Sequence, residues 1–309
     1  MSNNGSVPVW AADVEMTQKW ARLLLESQFP TLAPMGLRLL GEGWDNTAFL
    51  VNETWVFRFP RRQMGARLLA GETQTLLHLA NQLPLLIPYP QFTGRPEGEY
   101  PYLFTGYACL SGQTACAVTW TDDEREAVAP TLARFLRTLH EIPVDTQTRA
   151  WAPSDEIRRS DIEFRANQTR ERMEKLKSLL DRFDREGLKT LLDRLASTPG
   201  HTEPTCWVHG DLYPRHLLVN DAKQVCGVID WGDAHLGDPA LDLSIAWSFL
   251  PPKGRERFLA AYGNVDAATW QRAQLRAVFY GAVLFDYGAA KPDATLRTVG
   301  EYALRNVLT

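Results

Sequence analysis

The chain has 309 residues, of which 45% are hydrophobic and 23% are charged, and its formal net charge at pH 7 is −4. These are ordinary values for a globular protein, and a chain of this length can bury a large core and is typical of two domains. The small negative charge offers no whole-chain argument for binding nucleic acid.

The first third of the chain has the pattern of a small lobe of mixed strands and helices. A helix opens at Asp13 and continues to residue 28, with Trp20, Leu23 and Leu24 on its apolar face. The elements predicted next are strands over residues 37–40, 47–51 and 55–59, a helix over 66–81 and a strand over 102–110. The candidate core positions of the second helix are Leu68, Leu69, Leu76, Leu77 and Leu79. This order predicts an α+β lobe.

From Thr121 onward the pattern is mainly helical. Residues 121–124 have the spacing of a capping box, and Pro130 should kink the helix that follows or mark its start. Residues 155–197 are heavily charged but carry apolar residues at helical intervals, including Leu179 and Leu180, so we expect two or three amphipathic helices there. Further helices are predicted over residues 239–250, 255–262 and 267–289. We expect a first lobe over residues 1–107 and a second lobe over residues 108–309.

Three features of the sequence predict the cellular compartment of the protein: the first residues, the length of the apolar runs and the cysteines. Residues 1–16 lack the basic segment and long apolar core of a signal peptide, and the best apolar stretch, near residues 278–285, is too short to cross a membrane. The cysteines form no CxxC pair and no metal-ligand spacing, which suits buried thiols in a reducing compartment. They are Cys109, Cys116, Cys206 and Cys226. We therefore predict a cytoplasmic protein with no membrane or nucleic-acid partner.

Two short motifs in the second lobe predict a chemical site. Residues 209–216 read HGDLYPRH, and residues 229–233 read IDWGD about one hairpin later. Each motif follows an apolar run typical of a strand, over residues 206–208 and 225–229. The polar side chains are therefore expected on loops at strand ends, where a rigid scaffold can direct them at a ligand.

The two aspartates of these motifs match the needs of phosphoryl transfer to an alcohol. Such a reaction needs a carboxylate beside the hydroxyl, oxygen ligands for Mg²⁺ and positive charge near the phosphates. Asp211 suits the first role, and Asp230, an acid at a strand end, suits the second. The alternative is that either aspartate caps a turn. The pairing of two motifs with matching strands favours a site.

Residues 209–243 resemble the small-molecule phosphotransferases of the aminoglycoside phosphotransferase superfamily, through the pattern HGDLYPRHLLV, VIDWGD and GDPALDL. The run GEGWDNTAFLVNETWVFRFPRR in the first lobe looks most like the branch that contains the aminoglycoside 2''-phosphotransferases. The resemblance spans about residues 37–250. It implies a protein-kinase-like α+β fold, with a β-rich lobe, a hinge and a larger helical lobe, and a nucleotide in the cleft.

The resemblance also implies roles for residues of the two motifs. Asp211 would be the catalytic base, His209 would support its loop, and Asp230 would bind Mg²⁺. The position five after Asp211 is commonly asparagine in kinase-like enzymes, and here it is His216, a poorer ligand for Mg²⁺ than an amide oxygen. Because the macrolide and 2''-phosphotransferase branches resemble this chain in having histidine there, we keep His216 as a candidate metal ligand.

The first lobe supplies the candidate nucleotide-binding residues. Gly41 and Gly43 lie in a tight loop that could cover phosphates, with Asn46 or Thr47 as donors, although such a loop is more often an ordinary turn. Arg58 occupies the place of the phosphate-binding lysine of kinases, a departure in reach and shape. The alternative is an exposed arginine on an edge strand.

Two further features of the nucleotide site follow from the kinase-like pattern. Glu72, on the helix after Arg58, is the natural ion-pair partner of that arginine or else one more exposed charge. Tyr107 would be gatekeeper-like. The hinge backbone offered to a purine would come from Ala108, Cys109 and Leu110.

Several acidic residues are candidates for the site that binds the acceptor molecule. Asp233 would face substrate or metal, whereas Asp238 and Asp242 would hold the loop and the following helix together. A polycationic acceptor would need carboxylates, for which the candidates are Asp155, Glu156, Asp161, Glu163 and Asp286. The alternative is a solvated charged face, because arginines are interleaved with these acids, namely Arg158, Arg159 and Arg165.

We therefore predict a Mg²⁺-dependent phosphotransferase that moves the γ-phosphate of ATP or GTP to a hydroxyl of a small molecule. The acceptor that we favour is an aminoglycoside-like compound. The alternatives are a macrolide phosphotransferase, a housekeeping metabolite kinase, or a nucleotide-binding pseudoenzyme, the last motivated by Arg58 and His216. We expect a monomer or a weak dimer.

Overall fold

The computed structural model of the chain describes residues 12–43, 45–176, 183–202, 206–290 and 293–309. Predictions made on residues 1–11, on Trp44 and on residues 177–182, including Leu179 and Leu180, lie outside the described residues. The chain divides into two units. The first runs to Asn81 and resumes over Ile87–Leu110, and the second comprises Gln82–Leu86 and Ser111–Thr309. The lobe ranges predicted from the sequence stay a prediction.

The first unit is built on an antiparallel sheet with strand order β1-β2-β3-β5-β4. Its elements are α1 (Gln18–Gln28), β1 (Leu37–Glu42), β2 (Asn46–Val51), β3 (Trp55–Pro60), α2 (Gln63–Leu79), β4 (Pro90–Gly94) and β5 (Phe104–Ala108). Aromatic residues of the strands form its core: Phe57, Phe59 and Phe104 are fully buried, and the rings of Phe59 and Phe104 stack at 4.6 Å. Gly106 is required beside them, because a Cβ there would lie 2.4 Å from the Phe57 ring.

The first predicted helix begins too early. Helix α1 starts at Gln18, and its N-cap is Thr17, whose hydroxyl accepts from the Trp20 amide. Asp13 instead accepts hydrogen bonds from the Gln63 amide and the Tyr102 hydroxyl, both at 2.9 Å. A helix that started at Asp13 would remove this carboxylate from both donors, so long-range contacts decide where α1 begins.

Some leucines predicted for the core lie at the surface. Leu23 of α1 is 56% exposed, and in α2 Leu68 and Leu77 are also exposed. The other three candidates of α2 are buried, namely Leu69, Leu76 and Leu79. The buried stripe is therefore narrower than the apolar stripe of the sequence, as expected for a helix that contacts the sheet along one line.

The second unit is mainly helical, with short strands near its site. Its elements are β6 (Gln113–Thr114), α3 (Asp122–Glu141), α4 (Thr146–Trp151), α5 (Ile162–Lys175), α6 (Arg185–Leu195), β7 (Cys206–Val208), β8 (Leu217–Val219), β9 (Val225–Val228), β10 (His235–Gly237), α7 (Ala240–Phe249), α8 (Pro252–Tyr262), α9 (Ala267–Ala290) and α10 (Ala294–Asn306). The strands pair antiparallel in the orders β6-β8-β9 and β10-β7. The α+β prediction agrees with these two units.

Most of the helical predictions for this unit are confirmed. The capping box is present, since the Thr121 hydroxyl accepts from the Glu124 amide and the Glu124 carboxylate accepts from the Thr121 amide. Pro130 lies inside α3 and does not mark its start. The charged stretch forms α5 and α6 within the described residues. Helix α4 and strand β10 were not predicted, because they are short. Helix α10 was also missed, although its buried residues Leu296, Gly300 and Leu304 recur at helical spacing.

Helix α9 runs through the core of the second unit. Its residues Leu275, Val278 and Phe285 are buried together with Leu188 and Leu192 of α6. This packing places the polar positions of α9 next to the loop after β7. Within the described part of the chain, no helix is both long enough and apolar enough to cross a membrane.

Candidate active site

The loop after β7 is held by a buried carboxylate. The backbone amides of His209 and Gly210 donate to the two oxygens of Asp242, at 2.7 and 2.9 Å. His140 contacts the same carboxylate through Nε2 at 3.2 Å. Burial alone would raise the pKa of Asp242, but the hydrogen bonds from His140 and from the loop outweigh burial and lower it. Asp242 therefore stays charged and fixes the start of the HGD motif, as predicted.

The glycine of this motif is required by the backbone. Gly210 has φ +80°, in the left-handed region, and a Cβ there would lie 2.5 Å from the carbonyl oxygen of Asp233. The two motifs therefore approach each other at a point where any side chain would collide. This close approach brings the loop that carries Asp211 against the loop that follows β9.

His209 connects the two motifs from inside the protein. The residue is fully buried, its Nε2 lies 3.0 Å from the carbonyl oxygen of Ile229, and its Nδ1 lies 3.3 Å from the Asp211 amide. A carbonyl can only accept and an amide N–H can only donate, so the ring is neutral with its proton on Nε2. Burial lowers the pKa of His209, which agrees with a neutral ring. These contacts are those of a residue that supports the loop.

Asp211 is oriented by a tyrosine from α9. The Tyr280 hydroxyl donates to Oδ1 of Asp211 at 2.5 Å, and burial raises the pKa of this phenol well above its ordinary value, so it remains a donor. Oδ2 accepts no hydrogen bond from the described residues, and its neighbour there is Nδ1 of His216 at 3.8 Å. One oxygen of the carboxylate is thus fixed, and the other is available to a hydroxyl group.

His216 lies between the two aspartates. Its Nδ1 is 2.8 Å from the backbone carbonyl oxygen of Asp211, and its Nε2 is 3.2 Å from Oδ2 of Asp230. Burial disfavours a charged ring, but the Asp230 carboxylate and then Asp211 outweigh burial and raise the pKa of His216. Asp211 and Asp230, which the sequence predicts to converge, therefore contact opposite sides of one imidazole.

Asp230 is held with its carboxylate towards solvent. Its φ is +66°, a left-handed conformation that aspartate tolerates better than most residues, and its side chain is 55% exposed. Such strained positions are concentrated at functional sites. The backbone conformation thus directs an acid into solvent instead of into the core.

The carboxylate of Asp230 suits Mg²⁺ better than the imidazole of His216 does. Mg²⁺ is commonly held by one or two carboxylates with the remaining ligands from water and phosphate. Among the described residues no group of three His, Cys, Asp or Glu side chains is placed to hold a metal. Both nitrogens of His216 face oxygen atoms, so this geometry favours a role in positioning Asp230, and ligation by His216 stays a prediction.

The candidate acidic surface is largely neutralised by arginines. Asp233 pairs with Arg159, and Asp155 also contacts this guanidinium at 3.5 Å. Asp161 pairs with Arg158 and caps α5, and Asp286 pairs with Arg172. The arrangement agrees with the alternative of interleaved charges more than with an acidic pocket for a polycation.

The glycine loop of the first unit lies between β1 and β2. The Gly43 amide donates to the carbonyl oxygen of Asn46 at 2.9 Å, and Arg61 donates to the Gly43 carbonyl at 2.8 Å. A Cβ at Gly41 would meet nothing within 4 Å, and the side-chain oxygens of Asn46 and Thr47 are buried without a partner among the described residues. The packing of the unit therefore does not explain the glycine at position 41.

The predicted ion pair of the first unit is present. Nη1 of Arg58 on β3 lies 2.5 Å from Oε1 of Glu72 on α2, and Glu72 is 4% exposed. The alternative of two solvent-exposed charges is therefore excluded for this pair. The ion pair between Arg58 and Glu72 is therefore confirmed. The equivalence of Arg58 to the phosphate-binding lysine of kinases stays a prediction.

The predicted hinge segment begins at the last residue of β5. Tyr107 and Ala108 end this strand opposite Val56 and Trp55, and the Cys109 amide donates to the carbonyl oxygen of Thr54 at 2.7 Å. This amide is therefore engaged within the first unit. Leu110 is the last residue of the unit. The role of the segment in purine binding stays a prediction.

Replacing Asp242 by asparagine should lower the free energy of unfolding by about 2–4 kcal/mol at pH 7. An amide has one acceptor oxygen, so its NH₂ group would face one of the two backbone amides that now bind the carboxylate. Because the pKa of Asp242 is lowered on folding, its contribution is present above the unfolded value and lost as the pH falls through the folded value. The difference should therefore shrink below about pH 4.

Urea unfolding of the wild type and the Asp242→Asn variant at several pH values measures this difference. Asp193→Asn is the matched control, since Asp193 is 52% exposed in a surface pair with Arg170 and should change stability by less than about 0.5 kcal/mol. Equal stability of the wild type and Asp242→Asn at pH 7 would remove Asp242 as the residue that fixes the loop.

Sequence reasoning missed the residues of α9 that reach the site. Tyr280 contacts Asp211, and Arg276 donates to the Gly210 carbonyl at 3.3 Å and to the Tyr280 oxygen at 3.1 Å. In the sequence both residues lie within an ordinary apolar helical pattern. The available signal for a functional role was that Arg276 and Tyr280, two polar residues four positions apart, lie on the buried face of a long helix.

Comparison with known proteins gives a consistent result. Residues 36–276 match the family described as the phosphotransferase enzyme family, APH. An uncharacterised protein of Bacillus subtilis, YcbJ, is 27% identical over 277 residues, which cover 81% of this chain and 82% of that protein. An aminoglycoside 3'-phosphotransferase of Streptomyces ribosidificus is 33% identical over 178 residues, which cover 54% of this chain and 65% of that enzyme.

The solved structures agree with the family match. An APH(2'') enzyme in complex with GDP and kanamycin superposes with a TM-score of 0.65 at 28% identity, over 93% of this chain and 97% of that chain. The kinase-like α+β fold predicted from the sequence is confirmed by this likeness. The predicted resemblance to the 2''-phosphotransferase branch is confirmed with it.

Proposed function

Because the chain belongs to the phosphotransferase enzyme family, APH, we propose that it transfers the γ-phosphoryl group of ATP or GTP to a hydroxyl of a small molecule. An aminoglycoside-like compound is the first candidate acceptor. This choice is supported by relatives that carry the name aminoglycoside 3'-phosphotransferase and by a similar enzyme bound to kanamycin.

The observation that carries the proposal is the environment of Asp211. Tyr280 donates to one carboxylate oxygen, and the other oxygen has no donor among the described residues. A carboxylate so held can orient an acceptor hydroxyl and take its proton as the bond to phosphorus forms. The fixed loop and the buried phenol provide the orientation that such a transfer needs.

Asp230 would hold Mg²⁺ in this proposal. When bound with a nucleotide, the ion neutralises negative charge on the phosphates during transfer. His216 keeps the Asp230 carboxylate in place through the contact of 3.2 Å. Asp211 remains separate from this role, because its free oxygen is needed for the hydroxyl.

In the first unit we assign the nucleotide phosphates to Arg58 and to the backbone of residues 41–46. The pair with Glu72 holds the guanidinium at a defined place on β3. Arginine binds phosphate oxygens in a forked manner, whereas lysine acts as a point charge. These features can accept either ATP or GTP.

A screen for phosphate transfer tests the proposal. Purified protein is incubated with Mg²⁺ and either ATP or GTP, and with panels of aminoglycosides, macrolides and amino alcohols. Nucleotide consumption that depends on an acceptor, with a phosphorylated product seen by mass spectrometry, supports it. Tight nucleotide binding without transfer to any acceptor would contradict it and indicate a pseudoenzyme.

A second acceptor class, a metabolite that is not a polycation, is favoured by one observation. Three of the carboxylates predicted to receive a polycation are paired with arginines: Asp155 with Arg159, Asp161 with Arg158, and Asp286 with Arg172. A polycation would have to displace these guanidinium groups. Transfer to neutral alcohols or amino alcohols in the screen, and not to aminoglycosides, would identify this class.

Replacing Gly41 by alanine should weaken nucleotide binding about 3- to 30-fold while it changes stability by less than about 0.5 kcal/mol. The added Cβ meets no atom of the protein within 4 Å, so any loss must come from the ligand. Calorimetric titration with the nucleotide and Mg²⁺ measures the affinity.

The matched control for this variant is Gly200→Ala. A Cβ at Gly200 also meets nothing within 4 Å, and residue 200 lies outside the proposed nucleotide contacts. Unchanged affinity of both variants would remove the loop from the nucleotide site.

We also propose that the enzyme works in the cytoplasm as a monomer or weak dimer. Among the described residues its cysteines form no disulfide bond, which suits a reducing compartment, and nucleoside triphosphates are available there. Light scattering after gel filtration tests the oligomeric state. A stable tetramer would contradict this part of the proposal.

A further inference from the structure

A small cavity in the second unit is lined by several guanidinium groups. It has a volume of about 20 Å³ and lies among α5, α7 and α9. Its charged lining residues are Arg159, Arg165, Arg272, Arg276, Asp161 and Asp238. A cavity of this size holds one particle of about the size of a water molecule. The four arginines are each less than 9% exposed, so their charges are largely removed from solvent.

Only part of this positive charge is compensated. Arg272 binds Asp238 at 2.6 Å, and Arg159 pairs with Asp233. Asp161 lines the cavity, but its carboxylate pairs with the exposed Arg158 and caps α5. Asp161 also feels the charge of Arg165 at longer range. Among the described residues, however, no carboxylate contacts the guanidinium group of Arg165 or of Arg276 directly.

Arg165 is one of the cations without a carboxylate partner. It donates to the carbonyl oxygens of Ile157 and Arg158, at 2.6 and 3.0 Å, and to Gln168 at 2.8 Å. Burial, followed by the nearby charges of Arg276 and Arg159, lowers the pKa of Arg165 to about 10. The guanidinium groups are thus close enough to repel one another.

Arg276 is the second such cation, and most of its donors are unused. Its Nη2 donates to the carbonyl oxygen of Gly210 and to the Tyr280 hydroxyl oxygen. Nη1 and Nε are buried and have no acceptor among the described residues. These two nitrogens carry three of the five N–H groups of a guanidinium. A buried cation in this condition is costly, because its N–H groups have lost their hydrogen bonds to water without gaining other acceptors.

We propose that the cavity binds a small inorganic anion of the size of chloride, held by Arg276 with Arg165 as the second positive charge. The anion accepts the unused hydrogen bonds of Arg276 and balances the local charge. Water can accept the hydrogen bonds but cannot balance the charge. A phosphate group or the carboxylate of a metabolite is too large for a cavity of about 20 Å³.

The anion site is connected to the candidate catalytic carboxylate. Arg276 contacts the Tyr280 hydroxyl, and Tyr280 donates to Asp211 at 2.5 Å. An anion that holds Arg276 in place therefore also limits the positions of Tyr280. The binding claim itself rests on the cavity and its charges and does not depend on the proposed function.

Two measurements on the full chain test the site. In thermal unfolding at constant ionic strength, replacing sodium gluconate by about 200 mM sodium chloride should raise Tm by about 2 °C, since a ligand that binds the folded state stabilises it by mass action. In crystals grown with sodium bromide, anomalous scattering should show a peak in the cavity near Arg276. Both measurements use the wild-type protein.

Arg276→Gln should abolish the chloride-dependent rise in Tm, because it removes the cation that holds the anion. Arg255→Gln is the matched control. Arg255 is also 6% exposed and donates to backbone carbonyls, away from the cavity. Its substitution should lower Tm but leave the rise with chloride unchanged.

The proposal is overturned if the cavity shows no bromide peak, or if Arg276→Gln keeps the same response to chloride as the wild type. A peak at bromide concentrations used for crystals, together with no rise in Tm of the wild type at about 200 mM chloride, would indicate an adventitious ion only and would also overturn it. The bromide experiment remains decisive if the Arg276→Gln variant does not fold.

Discussion

Replacing Asp211 by asparagine is expected to lower kcat by about two to four powers of ten, the range typical of lost general acid–base catalysis. The amide oxygen of asparagine can still accept from Tyr280, so the orientation of the side chain is retained. What is lost is the oxygen that takes the proton of the acceptor hydroxyl. Nucleotide affinity should be nearly unchanged.

Turnover is measured with an acceptor found in the transfer screen, and nucleotide affinity is measured by calorimetry on the same preparations. The matched control is Asp221→Asn, because Asp221 is exposed in the turn between β8 and β9. That control should keep wild-type turnover. If Asp211→Asn also keeps wild-type turnover, Asp211 has no part in the transfer step.

Replacing Asp230 by asparagine is expected to weaken binding of the magnesium–nucleotide complex by about 10- to 100-fold, by analogy with the loss of groups around metal sites. Asparagine is chosen because φ is +66° at this position and asparagine adopts left-handed backbone readily. The variant thus removes the charge without added backbone strain. It also removes the carboxylate that faces Nε2 of His216.

The role of the metal is separated from other effects by two titrations. With Mg²⁺ present, Asp230→Asn should bind nucleotide more weakly than the wild type. With EDTA present, the two proteins should bind nucleotide equally, because no metal remains for Asp230 to hold. Equal affinity with Mg²⁺ would contradict metal binding by Asp230, and an equal loss in both conditions would indicate a structural effect.

The strongest predictions from the sequence concerned local signals close together in the chain. The HGD and IDWGD motifs each follow a strand, and Asp211 and Asp230 do meet, on opposite sides of His216. The two strands and the turn between them bring the motifs together with few residues intervening. The Arg58–Glu72 pair was predictable for the same reason, since a strand and the next helix carry its partners.

Predictions failed where distant segments decide the structure. Asp13 looked like a helix start, but its carboxylate binds Gln63 and Tyr102 instead. Leu68 and Leu77 looked like core residues, but the sheet covers a narrower stripe of α2. In each case the local pattern allowed two outcomes, and contacts from far along the chain selected one.

The family, the α+β class and the pair of aspartates could be recognised in the amino-acid order, because they depend on short motifs and on local periodicity. The groups that surround the aspartates became evident only from the folded chain: Tyr280 and Arg276 on α9, and Asp242 beneath the loop. Hydrogen bonds and buried charge depend on distances in space, and residues about seventy positions apart reach each other only after the helices pack. That packing is also what leaves a guanidinium buried with unused donors.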